Sequence, residues 1–358
     1  MTETCANRLP SLCVLNFNGA AVLDIALDAA MAIADCLEEI VVVDNGSTDS
    51  SRELIRERYP GIRLIENGAN LGASAGRNAG LEHIENPRLI LADNDVALNA
   101  EAIKAMTKAL DSAPDAVVAV PMVCYADRPD LVQYGGSRCH YLGQQILERQ
   151  DVPVHTLGTV PHDMDSLVSC CFLIDRSRLR RDVRFDESFF IYFEDHELGL
   201  RLRMLGHRLL AVPEARVLHG KGTEGLSIRQ LGSYSPRRVF HTIRNRWLLL
   251  LKLYSARTLL LIFPMLLVYE GSQLLVAIKK RWMAEWLRAC ASIFADLPLI
   301  LRRRRDIQRQ RMIPDRQLLA AGRLPFRQEL ADSGVERAGL TLLDSLSRGY
   351  WVAISRLI

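Results

Sequence analysis

Short apolar runs alternate with longer amphipathic stretches over the first 115 residues of the chain. Four of the runs have the length and composition of strands: SLCVLNFN, EEIVVVDNG, IRLIEN and PRLILADND. The segments between them, such as STDSSRELIRERY, have the spacing of apolar residues that predicts helices. Because each strand is almost wholly apolar and alternates with a helix, the pattern predicts an α/β fold with a mostly parallel, Rossmann-like sheet flanked by helices.

The pattern changes twice further along the chain. From about 116 to 190 the apolar runs become shorter and more irregular, which predicts mixed strands and loops. Residues 189–213 return to a helix followed by a strand, and long helical segments rich in basic and apolar residues come after them. We therefore predict an α/β domain over residues 1–240 and a helical region over 241–358.

Polar residues follow three of the predicted strands at the point where each strand ends. These are Asn16-Phe17-Asn18, Asp44-Asn45-Gly46-Ser47 and Asp93-Asn94-Asp95. Ligands of parallel α/β sheets bind beyond the carboxyl ends of the strands, so we expect a binding site here. In an extended segment Asp93 and Asp95 point to the same side, and two such carboxylates repel unless a cation lies between them. Oxygen ligands favour Mg²⁺ or Mn²⁺, although an Asx turn before a helix would explain the same residues.

A glycine-rich stretch, NLGASAGRNAG, comes after the third predicted strand. It has neither the spacing of a dinucleotide-binding loop nor that of a P-loop, which argues against both kinds of nucleotide site. Its small residues predict a helix that packs closely on its neighbours. Arg77 and Asn78 on that helix could still reach a ligand.

A second acidic cluster, Glu194-Asp195, follows the aromatic run FFIYF and opens a predicted helix. Carboxylates at a helix N-terminus are favourable partners of the helix dipole. A carboxylate beside an aromatic wall can also act as a general base toward a hydroxyl. The residues alone leave both interpretations open.

Taken in chain order, these motifs resemble those of the family-two glycosyltransferases with the GT-A fold, in particular the rhamnosyltransferase-like branch. The series runs through Asn16-Phe17-Asn18, the segment from Asp44 to Asp49, Asn70-Leu71-Gly72 with Asn78, Asp93-Asn94-Asp95, FDESFFIYFED and His219. The resemblance covers about residues 10–250. It implies a catalytic domain over 1–240, with a nucleotide-binding half at about 10–115 and an acceptor half at about 116–240.

The resemblance implies an inverting, metal-dependent glycosyltransferase that moves a sugar from a nucleotide-sugar to a hydroxyl of a cell-surface or lipid-linked glycan. Rhamnose from dTDP-rhamnose is the donor that this branch indicates. Two other functions stay open: a nucleotidyltransferase of the same fold, in which the Glu-Asp pair has no clear role, and a catalytically silent, membrane-associated carbohydrate-binding or scaffold protein. A silent relative would be free to lose Asp93, Asp95 and Asp195, which this chain keeps.

The resemblance also implies a role for individual residues. The donor would contact Asn16, Phe17, Asn18, Asp44, Asn45, Gly72, Arg77, Asn78 and Asp93. The metal, Mg²⁺ or Mn²⁺, would bind chiefly to Asp95, with Asp93 and His219 completing the site. Asp195 would be the general base, and Glu194 would help to place the acceptor.

The chain departs from the family's pattern at two places. Relatives commonly read Val-Ser-Gly-Ala where this chain has Val168-Ser169-Cys170-Cys171, so a bulkier side chain lies near the expected sugar pocket. This difference bears on the sugar preference more than on the chemistry. The second acid after the Glu-Asp pair is Glu197 rather than Asp, which is a smaller change.

Charge is distributed unevenly along the chain, although the formal net charge is only +3. Residues 244–323 contain 16 Lys or Arg and 5 Asp or Glu, a net charge of +11 that leaves about −8 for the rest. A basic segment of this size predicts an anionic partner. Because it lacks the aromatic residues on a sheet that stack on RNA bases, we expect no nucleic acid partner and favour an anionic membrane surface.

Residues 258–278 are long and apolar enough to cross a bilayer. Pro264, Glu270 and Gln273 within them count against a span that is exposed to lipid. The helical segments that follow combine Trp, Lys and Arg with apolar residues, a composition typical of helices in the membrane interface. We therefore predict a protein peripherally associated with the inner face of the cell membrane. A helical tail that packs on the catalytic domain, or a homodimer through the C-terminal helices, is the alternative.

The eight cysteines form no CxxC pair and have no zinc-binding spacing, which is typical of buried thiols in a reducing compartment. The N-terminal sequence MTETCANRLPSL has no charged segment followed by an apolar one, so no secretory signal is predicted. Both features predict a cytoplasmic location for the catalytic domain.

Overall fold

The computed structural model describes residues 9–168, 170–222, 235–325 and 333–358. The N-terminal residues 1–8 and Ser169 of the Val-Ser-Cys-Cys segment lie outside the described residues. The chain divides into two compact units, of which the first comprises Met1–Ser137, Glu148–Gly199 and His207–Leu231. The second comprises Arg138–Leu147, Leu200–Gly206 and Gly232–Ile358. The domain boundary near residue 240 stays a prediction.

The four apolar runs at the start of the chain form strands, and the segments between them form helices. The strands are β1 Ser11–Asn16, β2 Ile40–Asp44, β3 Arg63–Glu66 and β4 Arg88–Asp93. The helices are α1 Leu23–Met31, α2 Ser51–Arg58, α3 Gly72–His83 and α4 Ala100–Asp111. The strands lie in the order β3-β2-β1-β4 and are parallel to one another. All five residues of β2 are buried, which explains why its run is apolar on both faces.

Most of the remaining strands extend this sheet, and three of them form a second, smaller sheet. They are β5 Val96–Ala97, β6 Ala116–Tyr125, β7 Val132–Tyr134, β8 Ser137–His140, β9 Gln145–Leu147, β10 His162–Met164, β11 Cys171–Asp175, β12 Arg208–His219 and β13 Leu319–Ala320. The large sheet of the first unit continues from β4 in the order β4-β11-β6-β12-β10, with β5 on β12 and β7 on β6. Because β11 is antiparallel to both β4 and β6, this part of the sheet is mixed. The predicted α/β fold is confirmed: β1 to β4 are parallel to one another, β6 and β12 are parallel to each other, and β8, β9 and β13 form the second sheet.

The register of the parallel strands brings their polar ends to one edge. Asn16 pairs with Asp44 across β1 and β2, and Leu15 pairs with Asp93 across β1 and β4. The helix predicted after the aromatic run is α5 Glu194–Met204, whose N-terminal part lies in the first unit. The three strand ends and the start of α5, together with α3, β7 and the end of β12, supply the residues of the candidate site.

Long helices make up most of the second unit. They are α6 Pro236–Leu253, α7 Ala256–Lys279, α8 Met283–Arg309 and α9 Gly334–Ile354. Serine side chains cap the N-termini of α6, α7 and α9, where Ser235, Ser255 and Ser333 accept hydrogen bonds from backbone N–H groups. Within the described part of the chain, α7 is the helix whose length and hydropathy suit a membrane span, and 22% of its most apolar stretch is buried in the protein.

Candidate active site

Asn16 joins the ends of three strands. Its side chain is fully buried, and its amide nitrogen donates to the carboxylate of Asp44 at 3.0 Å and to the hydroxyl of Ser51 at 3.0 Å. Its amide oxygen accepts from Nδ2 of Asn94 at 2.9 Å. A Cβ on Gly19 would lie 2.2 Å from this oxygen, so any larger residue at that position would disturb the hydrogen bond between Asn16 and Asn94. The network fixes the position of the Asp93-Asn94-Asp95 turn.

The other predicted donor-binding residues of β1 and β2 lie at the same edge. The Asp44 carboxylate is buried and accepts from the backbone N–H of Ser47 at 2.9 Å. Asn45 donates to the carbonyl oxygen of Gly72 at 3.0 Å, which ties the start of α3 to β2. Phe17 and Asn18 are half-buried and border this edge. Their contact with a nucleotide stays a prediction.

Asp93, Asp95 and His219 come together as a candidate metal centre. One ligand atom from each residue lies within 4.8 Å of the other two. Pairing of β5 with β12 sets His219 opposite Val96, and this places Nε2 of His219 at 3.3 Å from Oδ1 of Asp95. The Asp95 carboxylate is buried, whereas one third of the Asp93 side chain is exposed. Two carboxylates and one imidazole form a donor set that Mn²⁺ and Mg²⁺ accept, and the imidazole favours Mn²⁺.

Gln133, on β7, orients the His219 ring. Its side-chain oxygen lies 2.8 Å from Nδ1 of His219. When Nδ1–H donates this hydrogen bond, the lone pair of Nε2 is directed toward the Asp95 carboxylate, an arrangement that a cation between them stabilises. The residues of this structure therefore fit a divalent cation.

Arg77 bridges the candidate metal centre and the acids of α5. Its guanidinium group is buried and donates to Asp93 at 2.7 Å and to Glu194 at 2.8 Å. It also lies over the Phe185 ring, 5.6 Å from the ring centre. Burial, and after it the nearby charge of Asp195, raise the pKa of Glu194 to about 7 against the opposing effect of Arg77. Burial also raises the pKa of Asp93.

Asp195 differs from Glu194 in its surroundings. It is half-buried, whereas Glu194 is buried against Arg77, so Asp195 is the more accessible of the two carboxylates. In the turn that precedes it, Phe190, Tyr192 and Phe193 have positive φ angles of 62° to 67°. Residues other than glycine are strained at such φ angles, and residues with strained backbones are concentrated at functional sites.

Helix α3 holds the aromatic segment that leads to Asp195. Asn78 donates to the carbonyl oxygen of Phe185 at 2.9 Å and accepts from its N–H at 2.9 Å. Gly72 has a φ of +86°, and a Cβ there would lie 2.5 Å from the carbonyl oxygen of Phe190. The structure thus places Gly72 and Asn78 against residues 185–190, and their contact with a donor stays a prediction.

Tyr134, Gln133, Ser166 and His196 were not predicted as residues of the site, whereas Cys170 was predicted near it. Tyr134 is buried beside Cys170, and the backbone oxygen of Cys170 accepts from the N–H of Asp93 at 2.8 Å. Burial raises the pKa of the Cys170 thiol well above its ordinary value, so this thiol is neutral. His196 is buried and hydrogen-bonded to the hydroxyl of Ser166. No local motif marks Tyr134, Ser166, His196 or Gln133, because their partners are distant in sequence.

The matching family model and the two relatives described next are all glycosyltransferases. Residues 11–166 match the family model described as Glycosyl transferase family 2. The chain is 31% identical over 215 residues to an N-acetylglucosaminyl-diphospho-decaprenol L-rhamnosyltransferase of Mycobacterium tuberculosis, a match that covers 51% of this chain and 66% of that relative. It is 25% identical over 218 residues to the dTDP-rhamnosyl transferase RfbF of Shigella flexneri, covering 60% of this chain and 71% of the relative.

The fold also resembles a solved structure. The crystal structure of GalNAc-T7 with UDP, GalNAc and Mn²⁺ superposes with a TM-score of 0.54 over 67% of this chain and 48% of that one, at 18% identity. At this level of identity the similarity shows a shared fold.

Proposed function

Because the chain belongs to glycosyl transferase family 2, we propose that it transfers a sugar from a nucleotide-sugar to an acceptor hydroxyl, with inversion at the anomeric carbon and with the help of a divalent cation. The observation that supports this most is the Asp93-Asp95-His219 cluster, which a shared arginine connects to the acidic start of α5. Arg77 joins the two, since it contacts both Asp93 and Glu194, the neighbour of Asp195.

Asp95, His219 and Asp93 would hold the cation, preferably Mn²⁺. When bound, the cation neutralises charge that develops on the leaving nucleoside diphosphate. Gln133 keeps the His219 ring in the orientation that directs Nε2 to the site. The Asn16 network keeps the turn that bears Asp95 in place.

Asp195 is the general base of the proposed reaction. Its carboxylate takes the proton of the acceptor hydroxyl while the hydroxyl oxygen bonds to the anomeric carbon from the face opposite the diphosphate. The bond between the anomeric carbon and the diphosphate oxygen breaks, and the bonding electrons leave with the diphosphate. One displacement without a protein nucleophile inverts the configuration. Glu194 is buried and paired with Arg77, so its role is to fix that guanidinium and the start of α5.

The donor and acceptor are proposed from the relatives. Both curated relatives reported above transfer rhamnose according to their names, and one name specifies dTDP as the nucleotide. We therefore propose dTDP-rhamnose as donor and a lipid-linked sugar as acceptor. Since such an acceptor is anchored in a bilayer, the chain would act at the inner face of the cell membrane.

A donor panel tests this function. Purified protein is heated with dTDP-rhamnose, UDP-N-acetylglucosamine or GDP-mannose, each with Mn²⁺ and each with a chelator, and the unfolding temperature is measured. We expect dTDP-rhamnose with Mn²⁺ to stabilise the protein most. Asp95→Asn should lose this stabilisation, whereas Asp182→Asn, a change at an exposed carboxylate, should keep it. Equal stabilisation by the donor with and without metal would contradict the proposal.

A further inference from the structure

Helix α7 presents an uncharged apolar row to solvent. The exposed residues of this row are Leu260, Phe263, Pro264, Leu267, Val268, Gly271, Leu275 and Ile278. Spacings of three and four residues place them on one side of the helix. The row extends over about 27 Å at the rise of an α-helix. Between Arg257 and Lys279 the helix contains a single charged residue, Glu270.

The opposite side of α7 is packed within the second unit. Its buried residues include Ile262, Met265, Leu266 and Tyr269. Glu270 pairs with Arg246 of α6 on this side, so the one charge of the helix is turned away from the exposed row. Helix α7 therefore packs within the second unit through one side and exposes the apolar row on the other.

Helix α9 carries a second exposed apolar row. It consists of Val335, Ala338, Leu342, Leu346, Gly349 and Val352. The helix lies antiparallel to α7, because the Tyr350 hydroxyl donates to the carbonyl oxygen of Leu261 at 2.6 Å and Lys279 pairs with Glu336 at 2.5 Å. Two neighbouring helices thus each expose an apolar row.

Charged residues on α9 indicate how these rows meet a membrane. Arg337, Asp344 and Arg348 occupy the same helix as the apolar row. If α7 crossed a bilayer, its antiparallel neighbour would bring Asp344 and Arg348 into the hydrocarbon, where each charge is costly. A helix pair lying in the interface avoids this cost, since arginine side chains can extend to the headgroups.

Exposed cations lie at the ends and flanks of the rows. They include Arg257 at the start of α7, Arg281 just beyond its end and Arg337 on α9. Cations in this position attract anionic headgroups, whereas a second copy of the same face would bring like charges together. Charge complementarity therefore favours lipid over a second copy.

From these observations we propose that the exposed rows of α7 and α9 dock the chain on an anionic phospholipid surface, with both helices lying along the membrane and neither crossing it. The proposal rests on the proposed function, which supplies a lipid-linked acceptor. It specifies the surface that brings the enzyme to that acceptor.

Sedimentation with vesicles tests the proposal on the full chain. Vesicles of phosphatidylcholine alone are compared with vesicles that also contain phosphatidylglycerol. We expect binding to the anionic vesicles, weakened by salt, and a reduction of about tenfold or more for Leu260→Glu with Leu275→Glu and for Leu342→Glu with Leu346→Glu. Val160→Glu is the matched control, because Val160 is 76% exposed in the first unit and Leu260 is 75% exposed. It should bind as the wild type does.

Three results would overturn the proposal. The first is wild-type binding by both double variants, and the second is retention of the wild type in membranes after an alkaline carbonate wash, which would indicate a span. The third is a dimer in light scattering that the same substitutions dissociate while vesicles bind nothing, which would assign the face to a second copy. Stabilisation by dTDP-rhamnose with Mn²⁺ is measured on every variant, so that loss of membrane docking is distinguished from unfolding and from failure of the proposed function.

Discussion

Substitution of Gln133 by leucine should weaken metal binding without removing a metal ligand. The side-chain oxygen of Gln133 lies 2.8 Å from Nδ1 of His219, and Nε2 of the same ring lies 3.3 Å from the Asp95 carboxylate. Leucine has a similar volume and no acceptor atom. The ring would then be free to turn or to change tautomer, and Nε2 would lose its fixed direction.

The size of the effect follows from this geometry. One lost hydrogen bond costs about 1 kcal/mol, or roughly fivefold in affinity. Loss of an outer partner of a metal-binding histidine typically lowers metal affinity by roughly 10–100-fold. We therefore expect the Mn²⁺ dissociation constant of Gln133→Leu to rise at least tenfold.

Isothermal titration with Mn²⁺ in the presence of dTDP measures this change. Gln133→Glu is the matched variant, because a carboxylate accepts the same hydrogen bond and should keep wild-type affinity or exceed it. Unchanged Mn²⁺ affinity in Gln133→Leu would refute the role given to Gln133. Equal losses in both variants would refute the hydrogen-bond explanation, since only one of them removes the acceptor.

Two further predictions concern the fold around the site. Gly19→Ala should lower the free energy of unfolding by about 1–3 kcal/mol, because the new Cβ would lie 2.2 Å from atoms of Asn16 and Asn94. Gly61→Ala, with open space at its Cβ, should change it by less than about 1 kcal/mol in the same urea titration. Burial lowers the pKa of His196 to about 3, whereas an unfolded chain protonates histidine near 6.5. The contribution of neutral, buried His196 to the free energy of unfolding is therefore complete above pH 6.5. As the pH falls from 6.5 toward 3, the free energy of unfolding decreases by about 1.4 kcal/mol per pH unit. Unfolding of His196→Gln should depend less steeply on pH between about 6.5 and 4, and an unchanged slope would contradict this.

The sequence predicted the parallel part of the fold well, for a clear physical reason. Strands such as β2 are buried on both faces, so their apolar runs are continuous and easy to recognise. The direction of β11 was not predictable, because the apolar run CCFLI fits a parallel and an antiparallel strand equally. Only its pairing with both β4 and β6 shows that it is antiparallel.

The candidate site was predictable where its residues follow strands or stand next to each other. Asp93, Asp95 and Glu194-Asp195 are of this kind, and the structure brings them to the same region through Arg77. Gln133 was not predictable, because its partner His219 is 86 residues away and a lone glutamine in an irregular segment has no motif. The connection that Arg77 makes between Asp93 and Glu194 was not predictable either, since its helix was expected mainly to pack through small residues.

In the proposed reaction Asp195 accepts the proton while a sugar is transferred, with the help of a divalent cation, from a nucleotide-sugar. The most direct test measures turnover of dTDP-rhamnose with a polyprenyl-diphosphate-linked acceptor, for the wild type with Mn²⁺, for the wild type after chelation and for Asp195→Asn with Mn²⁺. We predict turnover in the first case, loss after chelation, and a decrease of roughly 10²–10⁴-fold in Asp195→Asn while donor binding persists. Turnover by Asp195→Asn at the rate of the wild type, or turnover that chelation leaves unchanged, would contradict the account.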